Sequence, residues 1–347
     1  MERKVTQTNR NLGNEMAIIS AQKCRRKHHV SYDTVLGMEA AFARQEGVQI
    51  RMLSPMVGLV NKVLKKLHLP QRISDLLICR KVKEKRVLFI AMGIGDLFEY
   101  KKELCAIAKN HELGIYCFDV WQSQYETYEK LFEDICPTMI FFAYKEACHH
   151  FSQKYTCFFV PQSMDERFFY PRDVEKTRMF IQIGRRNEEI HQMIEAYLSA
   201  HSMTQSDENY LYEKKKGCII FPDTNDLAIG IAQTKYFVGA PQSRENKALT
   251  GDISDVTARF YEAMACKTLI IGYKPDTFDE LFSSDAMVDL SENGASFDEI
   301  ISYFEKNPQE YTRIVEENYR LLIQKHLWKH RYEQILSAFE AMEQRLQ

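Results

Sequence analysis

The sequence predicts an α/β protein built from two Rossmann-like domains. Short, continuous apolar runs such as Arg86-Val87-Leu88-Phe89-Ile90-Ala91 and Leu269-Ile270-Ile271 have the length and character of parallel strands buried on both faces. Between them lie amphipathic stretches at helical spacing, so strands and helices alternate as in βαβ units. The 347 residues exceed one ordinary α/β core and suit two domains of about 150 residues each.

Composition narrows the classes. A hydrophobic content of 45% suffices for two cores, and Lys+Arg 46 against Asp+Glu 48 gives a net charge of −2, which removes any bulk-charge argument for nucleic acid. The nine cysteines are odd in number and contain no Cys-x-x-Cys pair, so reduced thiols are expected rather than a disulfide framework or zinc site. No apolar run reaches the roughly 18 residues that span a bilayer, and the first fifteen residues lack a signal-peptide core. The expectation is a cytoplasmic protein, at most peripheral to a membrane.

In chain order, residues 1–14 read as a polar leader and Met16–Ser20 as the first strand. The loop that follows holds Lys23, Arg25, Arg26 and Lys27 with His28 and His29. It is either a solvated basic turn or one wall of a cleft, where His28 or His29 is a candidate general base. Ser31 caps a predicted helix to about Arg44 with Val35, Leu36, Met38, Ala41 and Phe42 inward, and 48–52 is the next strand. Residues 56–69 read as a short amphipathic helix within a basic stretch from Arg51 to Arg86, where ten Lys/Arg stand against Asp75 and Glu84. That stretch suits an anionic membrane surface, a phosphate-bearing acceptor or simply a solvated face. After the strand 86–91 comes Gly93-Ile94-Gly95-Asp96, a tight turn leading into a helix over 97–109. A lone Gly-x-Gly is no dinucleotide fingerprint, but it places Asp96 near a strand's carboxyl end. The strand 113–118 delivers Asp119 to the same edge, as a second candidate base or as the N-cap of the next helix. Strands at 138–143 and 156–160 close the first sheet.

Val160-Pro161 through Tyr170-Pro171 reads as a hinge, its prolines stiffening the link and Asp165 favouring a turn. The boundaries follow: an N-terminal domain over 15–165, a C-terminal domain over 172–325 and a final helix over 326–347. In the second half, 178–184 is a strand ending at Gly184, followed by Arg185-Arg186-Asn187 and a helix to about Leu198. Strands are expected at 209–213, 218–222 and 236–241, a helix at 226–232, and a long loop from Ser243 to Thr257. The stretch Arg259 to Gly272 is a helix running into a buried strand, with Arg259 and Glu262 on one face. Beyond it lie a helix near 278–282, a strand at 287–290, a helix from Ser296 and a tail, 308–347, helical throughout. Trp328, Tyr332, Ile335, Leu336 and Phe339 form its apolar stripe.

The segment Glu262-Ala263-Met264-Ala265 resembles the glutamate-bearing helix of the GT-B glycosyltransferases of group 1, and its Arg259-x-x-Glu262 pattern is similar to the spore-maturation-type branch. It departs from the family pattern at Ser254, where an earlier Glu is usual, at Lys267 for Gly and at Leu269 for Pro. The hinge, the segment Gly184-Arg185-Arg186 and the strand ending at Pro241 before Ser243 resemble the family too. What the resemblance implies is two Rossmann-like domains facing across a cleft, the final helix crossing back to the first. It implies a nucleotide-diphosphate sugar held through Gly184, Arg185, Arg186, Ser243, Arg259 and Glu262, with Glu262 on donor hydroxyls. The implied activity is sugar transfer to an acceptor hydroxyl of a glycan, lipid or small molecule, with no metal and no further cofactor. Arginines neutralise the leaving diphosphate. His28, His29, Asp96 or Asp119 supplies a base if configuration inverts. The alternative is a non-catalytic GT-B-like protein that binds a nucleotide sugar or a partner. A nicotinamide oxidoreductase is disfavoured, since residues 20–29 contain no glycine.

Overall fold

The structure is a computed structural model that describes residues 16–21, 32–51, 82–184, 186–214, 220–283, 285–291 and 294–346. The chain divides into two compact units, residues 1–161 with 331–347, and residues 162–330.

The first unit holds a six-stranded sheet of β1 (Met16–Ser20), β2 (Gln49–Arg51), β3 (Arg86–Ala91), β4 (Glu112–Cys117), β5 (Met139–Phe142) and β6 (Cys157–Phe159). Its spatial order is β2-β1-β3-β4-β5-β6, with every pairing parallel. β1, β3 and β5 are buried along their whole length, as their unbroken apolar runs require. The helices are α1 (Asp33–Ala43), α2 (Ile94–Ala108), α3 (Tyr125–Ile135) and α4 (Lys145–Phe151). The helix expected from Leu97 begins at Ile94 instead, because Gly93 is extended and the Asp96 backbone N–H closes on the Gly93 carbonyl at 3.1 Å. The predicted cap at Ser31 and the helix over 56–69 lie outside the described residues.

The second unit holds β7 (Arg178–Gln182), β8 (Tyr210–Tyr212), β9 (Thr234–Gly239), β10 (Leu269–Gly272) and β11 (Val288–Asp289), ordered β11-β10-β9-β7-β8 and again all parallel. Its helices are α5 (Glu188–Ala200), α6 (Thr224–Ala232), α7 (Ser243–Thr250), α8 (Ala258–Ala265), α9 (Phe278–Leu281), α10 (Phe297–Lys306) and α11 (Pro308–Lys325). Two apolar clusters cover the faces of the sheet, one around Ile181, Phe237, Phe260 and Ile270, the other around Phe180, Tyr236, Leu269 and Ile301. The connector into this unit turns at Asp165, whose carboxylate accepts the Arg167 backbone N–H at 3.1 Å. Lys176 pins the connector's end by donating to the Ala232 and Thr234 carbonyls, at 3.1 and 2.8 Å.

Three expectations are corrected here. The stretch 243–257 is not one loop, since 243–250 forms α7, kinked where Asn246 leaves helical geometry and stopped by Gly251 at φ 68°. Ile220 to Pro222 are not a strand, and Cys218 and Ile219 lie outside the described residues. The tail is two helices, α11 and α12 (Trp328–Leu346), broken at His326 and Leu327. There the His330 imidazole accepts the Leu327 N–H at 3.1 Å, capping the second helix, while Ser163 holds the His326 carbonyl.

Residues 331–347 of α12 belong to the first unit. Phe339 packs on Phe141, at 6.0 Å between ring centres, and Tyr332 packs edge-on to Phe42 at 5.3 Å. Gly114 of β4 makes room for that packing, since a Cβ there would stand 2.8 Å from the Phe339 ring. Arg86, fully buried, pairs with Glu343 at 2.6 Å, and Lys85 pairs with the same carboxylate. A buried guanidinium left without that partner would be costly, so the pair fixes the register of the helix on the sheet.

Candidate functional site

In a doubly wound sheet, ligands bind beyond the carboxyl ends of the strands where the order reverses. In the second unit that point lies between β7 and β9, and a cavity of about 170 Å³ occupies it, lined by Gln182 and Gly184 from β7 and its turn, by Gly239 from β9, and by Thr257, Arg259 and Phe260 from the start of α8. Glycine is required twice at this end of the sheet, once beside the cavity and once between two strands. Gly184 sits at φ 93°, with open space where a side chain would stand, and Gly272 sits at φ 151°, with its would-be Cβ 1.9 Å from the Gly239 carbonyl oxygen. Backbones free of Cβ let a ligand approach the main chain closely.

Helix α8 presents the charged pair. Arg259 lines the cavity and bonds the Glu262 carboxylate one turn behind it; the Glu262 side chain is only 4% exposed and that of Arg259 28%. This is not a solvated ion pair. A carboxyl group so deeply placed, paired with the guanidinium, helps fix that guanidinium at the cavity wall. Burial, with the Glu262 carboxylate next in weight, pushes the Cys266 thiol up to about 12, which keeps it an inert packing group. The first N–H of α8 is occupied, because Gln162 accepts the Ala258 N–H at 2.8 Å.

Beyond Gly184, Asn187 caps α5, accepting the Ile190 N–H at 3.0 Å. Arg186 does not stand free in the turn. It donates to Glu188 at 2.8 Å and approaches the buried His191 ring at 3.3 Å, and its guanidinium lies 5.6 Å from the centre of the Tyr212 ring. His191 in turn meets the Tyr210 hydroxyl at 3.3 Å, and Tyr210 donates to Gln182 at 3.0 Å. Burial holds the His191 imidazole below its ordinary range. Ser243 opens α7, half-buried and with no cap hydrogen bond at that end of the helix. Beside it Arg244 stacks on Tyr273 at 3.7 Å.

Gly184, Arg259 and the neighbourhood of Arg186 are thus brought together, with Glu262 behind them; Arg185, His28 and His29 lie outside the described residues. Gln182, His191 and Tyr210 belong to the same place and are not anticipated from the sequence. Their signal is polarity out of pattern: a glutamine inside the apolar strand Met179–Ile183, and a histidine on the buried face that Ile190 and Ile194 share.

In the first unit Asp96 and Asp119 sit at neighbouring strand ends. Asp96 is buried and accepts the Met92 N–H at 2.7 Å, fastening the turn after β3. Asp119 is half-buried and accepts the Tyr144 hydroxyl at 3.1 Å. It does not cap the next helix, whose 3₁₀ lead-in starts at Gln122. Of the basic stretch 51–86, only Arg51 and residues 82–86 are described.

A larger cavity, about 460 Å³, lies at the edge strand β11, but its lining is apolar with Asp285, Asp289 and Glu299 and includes no cation. Of the two linings, the smaller cavity's carries a cation, Arg259. Among the described residues no three His, Cys, Asp or Glu side chains cluster as a metal set would, and no helix is long and apolar enough to cross a membrane.

Two doubly wound units with such a site in the second define the GT-B fold of glycosyltransferases, and comparison with solved structures shows it. The chain aligns with Anabaena HepE in complex with UDP-glucose at TM-score 0.55 and 10% identity, over 94% of this chain and 99% of that one. With a glycosyltransferase from Rickettsia africae the TM-score is 0.56 at 10% identity, over 94% and 97%. With the accessory secretory protein 1, 2 and 3 structure from Streptococcus pneumoniae it is 0.51 at 9% identity, over 78% and 55%. Residues 211–337 match the family model described as Glycosyl transferase-like, a segment that contains α8 with Arg259 and Glu262. No curated protein matches by sequence.

Proposed function

We propose that the protein is a glycosyltransferase that moves a sugar from a nucleotide-diphosphate donor to an acceptor hydroxyl without a metal, and that its second unit holds the donor. The observation that carries this is the pair at the switch-point cavity: Arg259 on the wall, locked by the buried Glu262. As the sugar departs, negative charge grows on the diphosphate. Preorganised guanidinium groups placed there stabilise the transition state more than the bound donor. Arg259, with Arg185 and Arg186 of the Gly184 turn, takes that role. Glu262 positions a donor hydroxyl, and Ser243 adds a polar contact. Should the configuration invert, the acceptor loses its proton to His28, His29, Asp96 or Asp119. The HepE structure with UDP-glucose makes UDP-glucose the first donor to try. The spore-maturation-type branch, a cytoplasmic setting and peripheral docking through the basic 51–86 segment are further parts of this reading.

The test is release of nucleoside diphosphate across UDP-, GDP- and ADP-sugars with a panel of acceptor glycans. Arg259→Met is expected to lower turnover by about 10²–10³, the usual effect of deleting one oxyanion donor. Glu262→Ala is expected to reduce it at least as far while the protein still melts cooperatively. A folded Glu262→Ala protein with undiminished turnover ends the assignment.

A second reading is a non-catalytic scaffold of the same shape. Lys267 and Ser254, which depart from the enzyme pattern, favour it, as does the fold's occurrence in the Streptococcus accessory secretory structure. It predicts stabilisation by a nucleotide sugar with no diphosphate release.

A further inference from the structure

We infer that Gln182 is the donor group that reads the ligand in the switch-point cavity, oriented from behind by a buried relay running from Arg186 through His191 and Tyr210. The inference rests on the donor-binding reading and adds to it a residue outside the exposed turn.

His191 Nε2 lies 3.3 Å from Arg186 Nη1, a donor, and 3.4 Å from the Glu195 carboxylate, an acceptor. In the tautomer that accepts from Arg186, that nitrogen carries no hydrogen. A neutral imidazole then bears its hydrogen on Nδ1, which faces the Tyr210 oxygen at 3.3 Å and donates to it. The hydroxyl hydrogen of Tyr210 is left to bond Gln182 Oε1 at 3.0 Å. The carbonyl side of the Gln182 carboxamide is therefore committed, and its NH₂ points the other way. That NH₂ has no partner among the described residues, on a residue 3% exposed that lines the cavity. The amide nitrogen opens on the cavity, where a solvent or ligand oxygen meets it, so the site offers a donor to an acceptor. Arg259 lines the same cavity. The two donors select an oxygen that accepts hydrogen bonds, either of a phosphate or of the nucleoside. At about 170 Å³ the space takes one such group rather than a whole nucleotide sugar.

A glutamine kept only for packing would also accept from Tyr210, so the test must separate reading from support. Equilibrium binding of UDP and GDP to the full chain is measured for the wild type, Gln182→Met and Tyr210→Phe, with melting temperatures alongside. Gln182→Met keeps the length of the side chain and removes the donor. It should weaken the bound diphosphate by about tenfold or more. Tyr210→Phe keeps the amide but frees it to turn, and should weaken binding by about threefold. Repeating the series with inorganic pyrophosphate and with uridine or guanosine locates the oxygen: a parallel loss for pyrophosphate assigns it to phosphate, a loss confined to the nucleoside assigns it there. Wild-type binding matched within about twofold by folded Gln182→Met overturns the inference and leaves the donor-binding reading standing. If Gln182→Met does not fold, unchanged binding by Tyr210→Phe overturns it. A wild type that binds neither diphosphate overturns both.

Discussion

The two sheets share one topology and differ in what stands at the point where it reverses. Relative to the first strand of each unit, both run 2-1-3-4-5 in parallel, the first sheet adding a sixth strand. In the first unit, the described residues at that end are acceptors: the buried Glu39, which takes the Ser20 hydroxyl hydrogen at 2.7 Å, and the buried Asp96, with Asp119 one strand over. In the second they are donors and glycines, Gln182, Gly184 and Arg259. Topology gives both units a place for a ligand, and the side chains decide its charge. Among the described residues the two ends thus differ in character, carboxylates in the first unit and hydrogen-bond donors in the second.

The largest effect that would break this contrast lies in the glycines. At Gly272→Ala the new Cβ would stand 1.9 Å from the Gly239 carbonyl, backbone that cannot swing away, at a φ of 151° unfavourable to any side chain. The expected loss exceeds about 4 kcal/mol in denaturant unfolding, enough to leave little folded second unit. Gly114→Ala meets the Phe339 and Phe141 rings, at 2.8 and 3.0 Å, side chains that can shift where backbone cannot, and should cost about 1–3 kcal/mol. Equal losses at the two positions would show that the close approach of β9 and β10 is no special feature of the donor end.

Next comes the acceptor end. Ser20→Ala removes the hydrogen that Glu39 receives inside the first unit. The buried carboxyl group then loses a hydrogen-bond partner, an effect of about 1–3 kcal/mol. Equilibrium unfolding in urea measures this, and a loss under about 0.5 kcal/mol would mean that Glu39 is satisfied without Ser20.

How much of this is legible in the sequence follows from which signals are local. Strands such as 86–91 and 269–272 announce themselves, because burial on both faces forces an unbroken apolar run. Arg259 and Glu262 were readable because a helix turn brings them together. The Gln182–Tyr210–His191 relay was not, because it joins β7, β8 and α5, and only the sheet order makes those elements neighbours. The apparent loop after Ser243 misled for a related reason: its turn-rich residues do make a kink at Asn246, but within a helix that Gly251 ends. The break at His326 and Leu327 also escaped notice, since neither glycine nor proline marks it; a histidine side chain supplies the cap.

The smallest effect is a proton. Burial lowers the His191 pKa in the folded protein, the Arg186 guanidinium lowers it further, and the Glu195 and Glu188 carboxylates oppose both; burial raises the Tyr210 phenol on the neighbouring strand, which stays uncharged at these pH values. A base whose folded pKa is depressed binds its proton less readily folded than unfolded. Above the ordinary value of 6.5 neither state is protonated and the residue is neutral toward stability. Below it the unfolded chain takes up the proton first, so stability falls with pH until the folded pKa is passed, then levels off. His191→Gln keeps a polar side chain and removes the titration. Urea unfolding of the two proteins between pH 8 and pH 5 should therefore give a steeper decline for the wild type below about pH 6.5, their difference amounting to a fraction of one proton. The same protonation strips Arg186 of its acceptor at Nε2, so the affinity for UDP or GDP should decline over the same pH range in the wild type and not in the variant. Matching profiles would show that His191 does not sense the site, and the contrast between the two sheet ends would then rest on Arg259 and Gln182 alone.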